Sequence, residues 1–161
     1  MRTSKASYYS SKHFFAETDG GMVFGIDRSE AMVKIAQERL AQEIQEGRVE
    51  LYTASVDSMP FNTHYIDKIF HCNCYYFWED RPKCCSELLR VLKPGALMIT
   101  TIGSIVLQKL TENGILTSCQ VDRDTYMEDL RLAGFVDVEI EEIVKGRDKI
   151  KFWIVHAKAP E

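Results

Sequence analysis

Residues 77–95 read FWEDRPKCCSELLRVLKPG, and this stretch predicts a helix that ends in a tight turn and continues into a strand. The helix should begin at Asp80, because a carboxylate there can accept hydrogen bonds from free backbone N–H groups, and Pro82 fits the first helical turn. It should end at Lys93-Pro94-Gly95, since proline cannot continue a helix and glycine tolerates the turn. The apolar run over residues 96–102 then predicts a buried strand.

Apolar runs of strand length alternate with helical patterns along most of the chain. Strands are predicted over residues 22–26, 49–54, 66–72, 96–102, 135–143 and 150–157. Helices are predicted after Ser29, Asp80 and Asp122, each of which can cap a helix. After Ser29, the apolar residues at helical spacing that should face the core are Met32, Ile35, Ala36, Leu40 and Ile44.

This alternation predicts an α/β sandwich around a mostly parallel sheet. Gly146-Arg147-Asp148 joins the last two strands, which should therefore form an antiparallel hairpin. We assign residues 20–161 to this domain and leave the structure of residues 1–19 open. In such sheets ligands bind at the carboxyl ends of the parallel strands. The sequence places Asp27, Ser55 and Asn73 at those ends.

The composition is that of one ordinary globular domain. The 161 residues are 45% hydrophobic and 27% charged. The net charge of −4 argues against binding of nucleic acid through an overall positive charge. The N-terminus lacks the apolar core of a signal peptide. The longest apolar stretch has about 12 residues, whereas a helix that spans a bilayer needs about 20. We therefore expect a cytoplasmic protein that binds neither nucleic acid nor membranes.

The cysteines indicate a reducing environment rather than a disulfide framework. Their number is five, which is odd, and no C-x-x-C pair occurs among them. The favoured interpretation is that they are free thiols acting as small apolar residues. A zinc site at His71, Cys72 and Cys74 is the alternative, but adjacent strand residues point to opposite faces, so only part of that set could converge. We therefore predict no metal site.

With these features, the chain resembles the class I S-adenosylmethionine-dependent methyltransferases, and most closely the small-molecule branch called methyltransferase type 11. The resemblance covers residues 21–160 and depends on motifs that occur in family order and spacing. These are residues 23–29 (VFGIDRS), residues 54–61 (ASVDSMPF) followed by Ile66-Asp67, and residues 90–95 (RVLKPG). The resemblance implies a Rossmann-like methyltransferase sandwich and S-adenosylmethionine as the cofactor.

The resemblance also implies which residues hold that cofactor. Asp27 should accept hydrogen bonds from both ribose hydroxyls, although it could instead be a turn residue before Ser29. Met32 should pack on the adenine or else fill the core. Ser55 stands where the family usually has an aspartate for the adenine amino group. The complete predicted set is Asp27, Arg28, Met32, Ser55, Val56 and Asn73.

One family feature is missing from the sequence. The family begins with a strand and a Gly-x-Gly-x-Gly turn that lets the backbone approach the cofactor, and no such turn precedes Gly25. Without that strand, the strands starting at Met22 and Ile66 would face a gap with unpaired edges. Residues 8–16 could fill it, but they are polar for a buried central strand. We therefore expect a shortened chain, such as a splice form, whose first strand and helix are missing or replaced.

The reaction implied by the resemblance is in-line transfer of a methyl group from a sulfonium to a small, partly apolar acceptor. His71, Glu79 and Asp80 are the nearby candidates for a general base, and the sequence favours a core role for His71 and a capping role for Asp80. One alternative is a nucleotide-dependent oxidoreductase, which the RVLKPG turn disfavours. Another is a non-catalytic interaction module that forms a homodimer, or pairs with another partner, through exposed sheet edges.

Overall fold

The computed structural model describes residues 5–8, 21–146 and 150–161. The strands are β1 (Lys5–Tyr8), β2 (Met22–Asp27), β3 (Val49–Thr53), β4 (Ile66–Cys72), β5 (Leu92–Gly103), β6 (Val136–Lys145) and β7 (Ile150–Lys158). The helices are α1 (Glu30–Arg39), α2 (Ala41–Gln45), α3 (Arg81–Val91), α4 (Ser104–Glu112), α5 (Ser118–Val121) and α6 (Arg123–Ala133). A single 3-10 turn spans Tyr75–Phe77. Within these ranges, every helix is too short or too polar to span a bilayer.

All the strands form one sheet in the order β3-β2-β1-β4-β5-β7-β6. The pairs from β3 to β5 are parallel, whereas β7 is antiparallel to both β5 and β6. This arrangement confirms the predicted α/β sandwich with a mostly parallel sheet and an antiparallel C-terminal hairpin. The chain order reverses direction at β1 and β4, which is the place where open parallel sheets bind ligands.

The central position of the sheet is filled, so β2 and β4 do not face a gap with unpaired edges. Strand β1 (Lys5–Tyr8) pairs in parallel with β2 on one side and with β4 on the other. Backbone N–H and C=O groups make these pairs whatever the side chains, which is why a polar segment can supply the strand. Of the predicted segment, residues 8–16, Tyr8 lies in β1, and residues 9–16 lie outside the described residues. The first strand of the family pattern is therefore replaced rather than lost.

Helix α1 begins as predicted but does not bury the predicted face. The Ser29 hydroxyl accepts a hydrogen bond from the Met32 N–H at 3.4 Å, which caps the helix. Val33 is the buried residue of α1, whereas Met32 and Ile35 are 41% and 40% exposed. The helical segment also breaks at Leu40, so the predicted apolar stripe is only partly correct. The helix faces a cleft on that side, and spacing alone does not show what lies opposite a helix.

The RVLKPG motif, in which α3 ends and β5 begins, is connected to the loop that contains Met59. Glu87 on α3 accepts hydrogen bonds from the Met59 N–H at 2.8 Å and from Arg90 Nε at 2.6 Å and Nη2 at 2.7 Å. Arg90 Nη2 also donates to the Met59 carbonyl at 3.4 Å. The Arg90 guanidinium and the Met59 N–H thus hold the pKa of Glu87 below its usual value. Two sequence motifs that are 30 residues apart in the chain therefore form one structural unit.

Candidate functional site

A large cleft lies at the carboxyl ends of β2 and β4, beside α1. Its volume is about 920 Å³, within the range of small-molecule sites. Its wall contains every cofactor-binding residue named from the sequence, which are Asp27, Arg28, Met32, Ser55, Val56 and Asn73. The structure therefore brings together residues that are spread over about 45 positions of the chain.

Asp27 ends β2 with its carboxylate at the cleft. Oδ1 accepts a hydrogen bond from the Ser29 N–H at 2.8 Å, and this bond fixes the turn into α1. In the described part of the chain, Oδ2 makes no further hydrogen bond and no ion pair. A carboxylate oxygen at the wall of a cleft can accept hydrogen bonds from a donor that enters it. Asp27 therefore offers an acceptor to hydroxyl or N–H groups of a ligand.

Asn73 follows β4 in a left-handed backbone conformation, with φ of +52°. Its Oδ1 accepts a hydrogen bond from the Gly103 N–H at 2.8 Å, and its own N–H donates to the Thr101 carbonyl at 3.0 Å. Asparagine tolerates this backbone region better than most residues, and such strain is concentrated at functional sites. The amide thus joins the ends of β4 and β5 at the wall of the cleft.

Asp57 also lines the cleft, although it was not among the cofactor-binding residues predicted from the sequence. The Ser55 hydroxyl donates to its carboxylate, and Lys83 Nζ lies 3.3 Å from Oδ2. Both interactions lower the pKa of Asp57, with the Ser55 hydrogen bond as the larger cause. A tight turn, marked by the bridge between Ser55 and Ser58, folds the carboxylate back toward the cleft. This turn therefore brings Asp57 to the cleft wall beside Ser55.

Two candidate general bases, Glu79 and Asp80, lie at the rim of the cleft. Glu79 is exposed and lies 3.8 Å from Arg28, so this ion pair bridges the loops after β2 and β4. Asp80 Oδ1 accepts a hydrogen bond from the Lys83 N–H at 3.0 Å, as expected for the cap of α3. Asp80 therefore has the structural role that the sequence favoured. Glu79 is the rim carboxylate that a ligand could reach most easily.

His71, the third candidate base, is buried behind the cleft rather than in its wall. Its Nε2 lies 2.8 Å from Thr100 Oγ1 and 3.1 Å from the Tyr126 hydroxyl, while Nδ1 lies 3.1 Å from Cys74 Sγ. Burial lowers the pKa of His71 to about 3, so the imidazole is neutral at physiological pH. These contacts support the core role favoured by the sequence, and they show that only part of the zinc hypothesis, His71 with Cys74, converges.

Cysteine side chains from two elements also line the cleft, namely Cys72, Cys74 and Cys84. Burial raises the pKa of Cys84 to about 12 and that of Cys74 well above its usual value, so both remain thiols. Across the described residues, no group of histidine, cysteine, aspartate and glutamate side chains has the geometry of a metal site. The sulfur atoms of Cys74 and Cys84 therefore form a neutral, polarizable part of the wall.

The 3-10 turn Tyr75–Phe77 was not predicted from the sequence. It brings Phe77 and Trp78 to the cleft, and the Tyr75 hydroxyl donates to the Val121 carbonyl at 2.7 Å. The Tyr75 ring stacks on Tyr126, with centroids 4.3 Å apart. The run of aromatic residues over 75–78 was the only feature of the sequence that pointed to this turn. It did not indicate which rings would face the cleft.

Comparison with known proteins shows the family. A family profile described as "Methyltransferase domain", type 11, matches residues 9–100, or 92 of the 161 residues. The erythromycin 3''-O-methyltransferase of Saccharopolyspora erythraea is 29% identical over 139 residues, covering 75% of this chain and 45% of that protein. The uncharacterized methyltransferase YdaC of Bacillus subtilis is 29% identical over 117 residues, covering 73% and 60%. The chain thus spans about half the length of these curated relatives.

Solved structures share the fold. A phosphoethanolamine N-methyltransferase 2 of Haemonchus contortus, in complex with phosphomonomethylethanolamine and S-adenosylhomocysteine, superposes with a TM-score of 0.73 at 18% identity, covering 100% of this chain and 50% of that one. A putative sarcosine dimethylglycine methyltransferase of Galdieria sulphuraria gives 0.77 at 13% identity, covering 99% and 79%. The same Haemonchus protein has also been solved with S-adenosyl-L-methionine. The chain belongs to the methyltransferase type 11 family, within the class I S-adenosylmethionine-dependent methyltransferases.

Proposed function

We propose that this chain binds S-adenosylmethionine in the cleft and transfers its methyl group to a small-molecule acceptor. The observation that carries the proposal is the Asp27 carboxylate at the end of β2, with one oxygen free of described partners at the cleft wall. A carboxylate with a free oxygen suits the paired hydroxyls of a ribose, because it can accept more than one hydrogen bond.

The other cleft residues fit the remaining parts of the same cofactor. Ser55 and Asp57 offer oxygen acceptors, and Val56 offers a backbone N–H, to the edge of an adenine. Met32 is 41% exposed at the cleft and supplies an apolar surface for its ring face. Asn73 lies at the end of β4, where the methionine portion would lie. When bound, the cofactor supplies an electrophilic methyl group, and the chain aligns it and excludes water.

The acceptor is proposed to be a small, partly apolar molecule. Support comes from the aromatic side chains Phe77 and Trp78 in the cleft wall and from the net charge of −4, which disfavours nucleic acid. Glu79 at the rim is the carboxylate best placed to take a proton from an acceptor. We also propose a cytoplasmic location, which the free thiols of the described cysteines favour.

The proposal predicts that Asp27→Asn weakens S-adenosylmethionine binding by about 10- to 100-fold, because hydrogen bonds to a charged acceptor contribute about 1.5–3 kcal/mol. Asparagine keeps the oxygen that accepts the Ser29 N–H, so the turn should survive and the melting temperature should change little. Calorimetric titration measures the affinity. Asp124→Asn, on α6 and outside the cleft wall, is the matched control. Equal affinity of Asp27→Asn and the native chain would contradict the proposal.

The alternative is a non-catalytic interaction module, and one observation favours it. No Gly-x-Gly-x-Gly turn follows β1 in the sequence, so the closest backbone approach to the cofactor lacks its usual loop. Such a module would pair, as a homodimer or with another partner, through the outermost described strands, β3 and β6. Absence of any heat on titration with millimolar S-adenosylmethionine, together with a concentration-dependent dimer in ultracentrifugation, would favour this alternative.

A further inference from the structure

Tyr76 carries a hydroxyl that the folded chain leaves without a partner. The side chain is 2% exposed, and within the described ranges its hydroxyl is the buried side-chain oxygen or nitrogen for which no hydrogen bond is found. A buried polar group without a partner destabilises a fold, because it has lost its hydrogen bonds to water. Buried polar groups are therefore almost always paired. Phenylalanine would fill the same space without that cost, so packing alone does not account for the hydroxyl.

The neighbouring tyrosines show that this is not a general property of the turn. The Tyr75 hydroxyl donates to the Val121 carbonyl at 2.7 Å, and the Tyr126 hydroxyl lies 2.9 Å from Thr100 Oγ1. Tyr75 and Tyr76 are adjacent in the same 3-10 turn, with ring centroids 5.1 Å apart. The fold therefore satisfies the tyrosine that points toward α5 and leaves its neighbour unsatisfied.

Tyr76 lies directly behind the wall of the cleft. Cys72 and Cys74 line the cleft and are close enough to Tyr76 to affect its ionisation, and Phe77, also in the wall, packs edge-on against its ring at 4.8 Å. Phe77 is 41% exposed, so its ring is not enclosed in the core. Burial raises the pKa of Tyr76, which keeps the phenol protonated and able to donate.

The position also indicates which part of a ligand would reach it. In the order β2-β1-β4, Asp27 at the end of β2 and Cys72 at the end of β4 are separated by two strand spacings, or about 10 Å. If the ribose lies on Asp27 and the adenine lies beside Ser55, the methionine portion would extend across this gap toward β4. The charged oxygens of that portion are in the carboxylate, which is a strong acceptor for a phenolic O–H.

We propose that Tyr76 is a cofactor-specificity residue whose hydroxyl donates a hydrogen bond to the methionine carboxylate of bound S-adenosylmethionine, after the Phe77 ring shifts. The inference rests on the proposed function, because it requires the cofactor to occupy this cleft. It adds a donor from the turn after β4, in a chain whose sequence lacks the glycine-rich turn.

The test compares Tyr76→Phe with Tyr75→Phe in the full chain. Without ligand, Tyr76→Phe should raise the melting temperature by about 2 to 6 °C, because it removes an unpaired buried hydroxyl, whereas Tyr75→Phe should lower it. Tyr76→Phe should also weaken binding of S-adenosylmethionine and S-adenosylhomocysteine by about tenfold each, since both contain the carboxylate. Binding of methylthioadenosine, which lacks the amino-acid portion, should not change. Differential scanning fluorimetry and calorimetric titration provide these readouts.

Three other outcomes would contradict the proposed role of Tyr76. A lower melting temperature for ligand-free Tyr76→Phe would show that the hydroxyl is already paired in the free protein. Unchanged affinity for both sulfur cofactors, or an equal loss of methylthioadenosine binding, would show that the hydroxyl does not serve the carboxylate. If the native chain binds none of these ligands, the proposed function fails, and the inference fails with it even if Tyr76→Phe is stabilising.

Discussion

At the scale of single residues, the site and the core share one buried polar cluster. His71 contacts Thr100 and Tyr126 on one side and the cleft residue Cys74 on the other. Burial keeps the imidazole neutral, because it lowers the pKa of His71 to about 3. It also raises the pKa of Cys74 and Tyr126 well above their usual values, so the whole cluster is uncharged. An uncharged cluster can be buried because its members satisfy one another.

This cluster predicts a loss of stability in mild acid. Below about pH 6.5 the unfolded chain binds a proton at His71 while the folded chain does not, so the free energy of unfolding falls as the pH falls toward 3. Between pH 7 and pH 5 the loss from this one residue should be about 2 kcal/mol. Urea unfolding at both pH values measures it. His71→Gln should reduce this pH dependence, whatever it does to the free energy of unfolding at pH 7. The control His64→Gln, at an exposed position, should retain the pH dependence. Equal pH dependence in both variants would contradict the role of His71.

At the scale of elements, the features that depend on local hydrogen bonds, such as helix caps, could be predicted from the sequence. Asp80 caps α3 and Ser29 caps α1, because capping depends on a side chain and the N–H groups two or three residues later. The face that α1 buries depends instead on distant segments. The Tyr75–Phe77 turn was missed for a related reason, since its rings are held by α5 and α6. All the named cleft residues do lie in one cleft, because strand ends of a parallel sheet meet at one edge.

The link between α3 and the Met59 loop predicts that Glu87→Gln disturbs the cleft from a distance. Glutamine keeps one acceptor for the Met59 N–H but loses the charged pair with Arg90, so the melting temperature should fall by about 3 to 6 °C. The loop over residues 55–63 should become more susceptible to limited proteolysis, and S-adenosylmethionine affinity should fall with it. Glu38→Gln, exposed on α1, is the control. A native proteolysis pattern in Glu87→Gln would show that the loop is held by other contacts.

At the scale of the whole molecule, the short strand β1 holds the two halves of the sheet together. It is the only described element that pairs with both β2, which carries Asp27, and β4, which leads to Asn73. The separation of these two site residues is therefore fixed by the backbone of Lys5–Tyr8. Because main-chain pairing rather than side-chain pattern makes this contact, its stability should depend on N–H groups more than on residue type.

We therefore expect Ala6→Pro to damage both the fold and the site. Ala6 aligns with Val23 of β2 and Lys68 of β4, and proline in a central strand removes a ladder hydrogen bond and crowds its neighbours. The melting temperature should drop by more than about 6 °C, or cooperative unfolding should be lost, and cofactor binding should be lost with it. Ala6→Ser keeps the N–H and should remain folded. Circular dichroism melts of both variants measure the difference, and a native melt for Ala6→Pro would mean that β2 and β4 are held at their spacing without this strand.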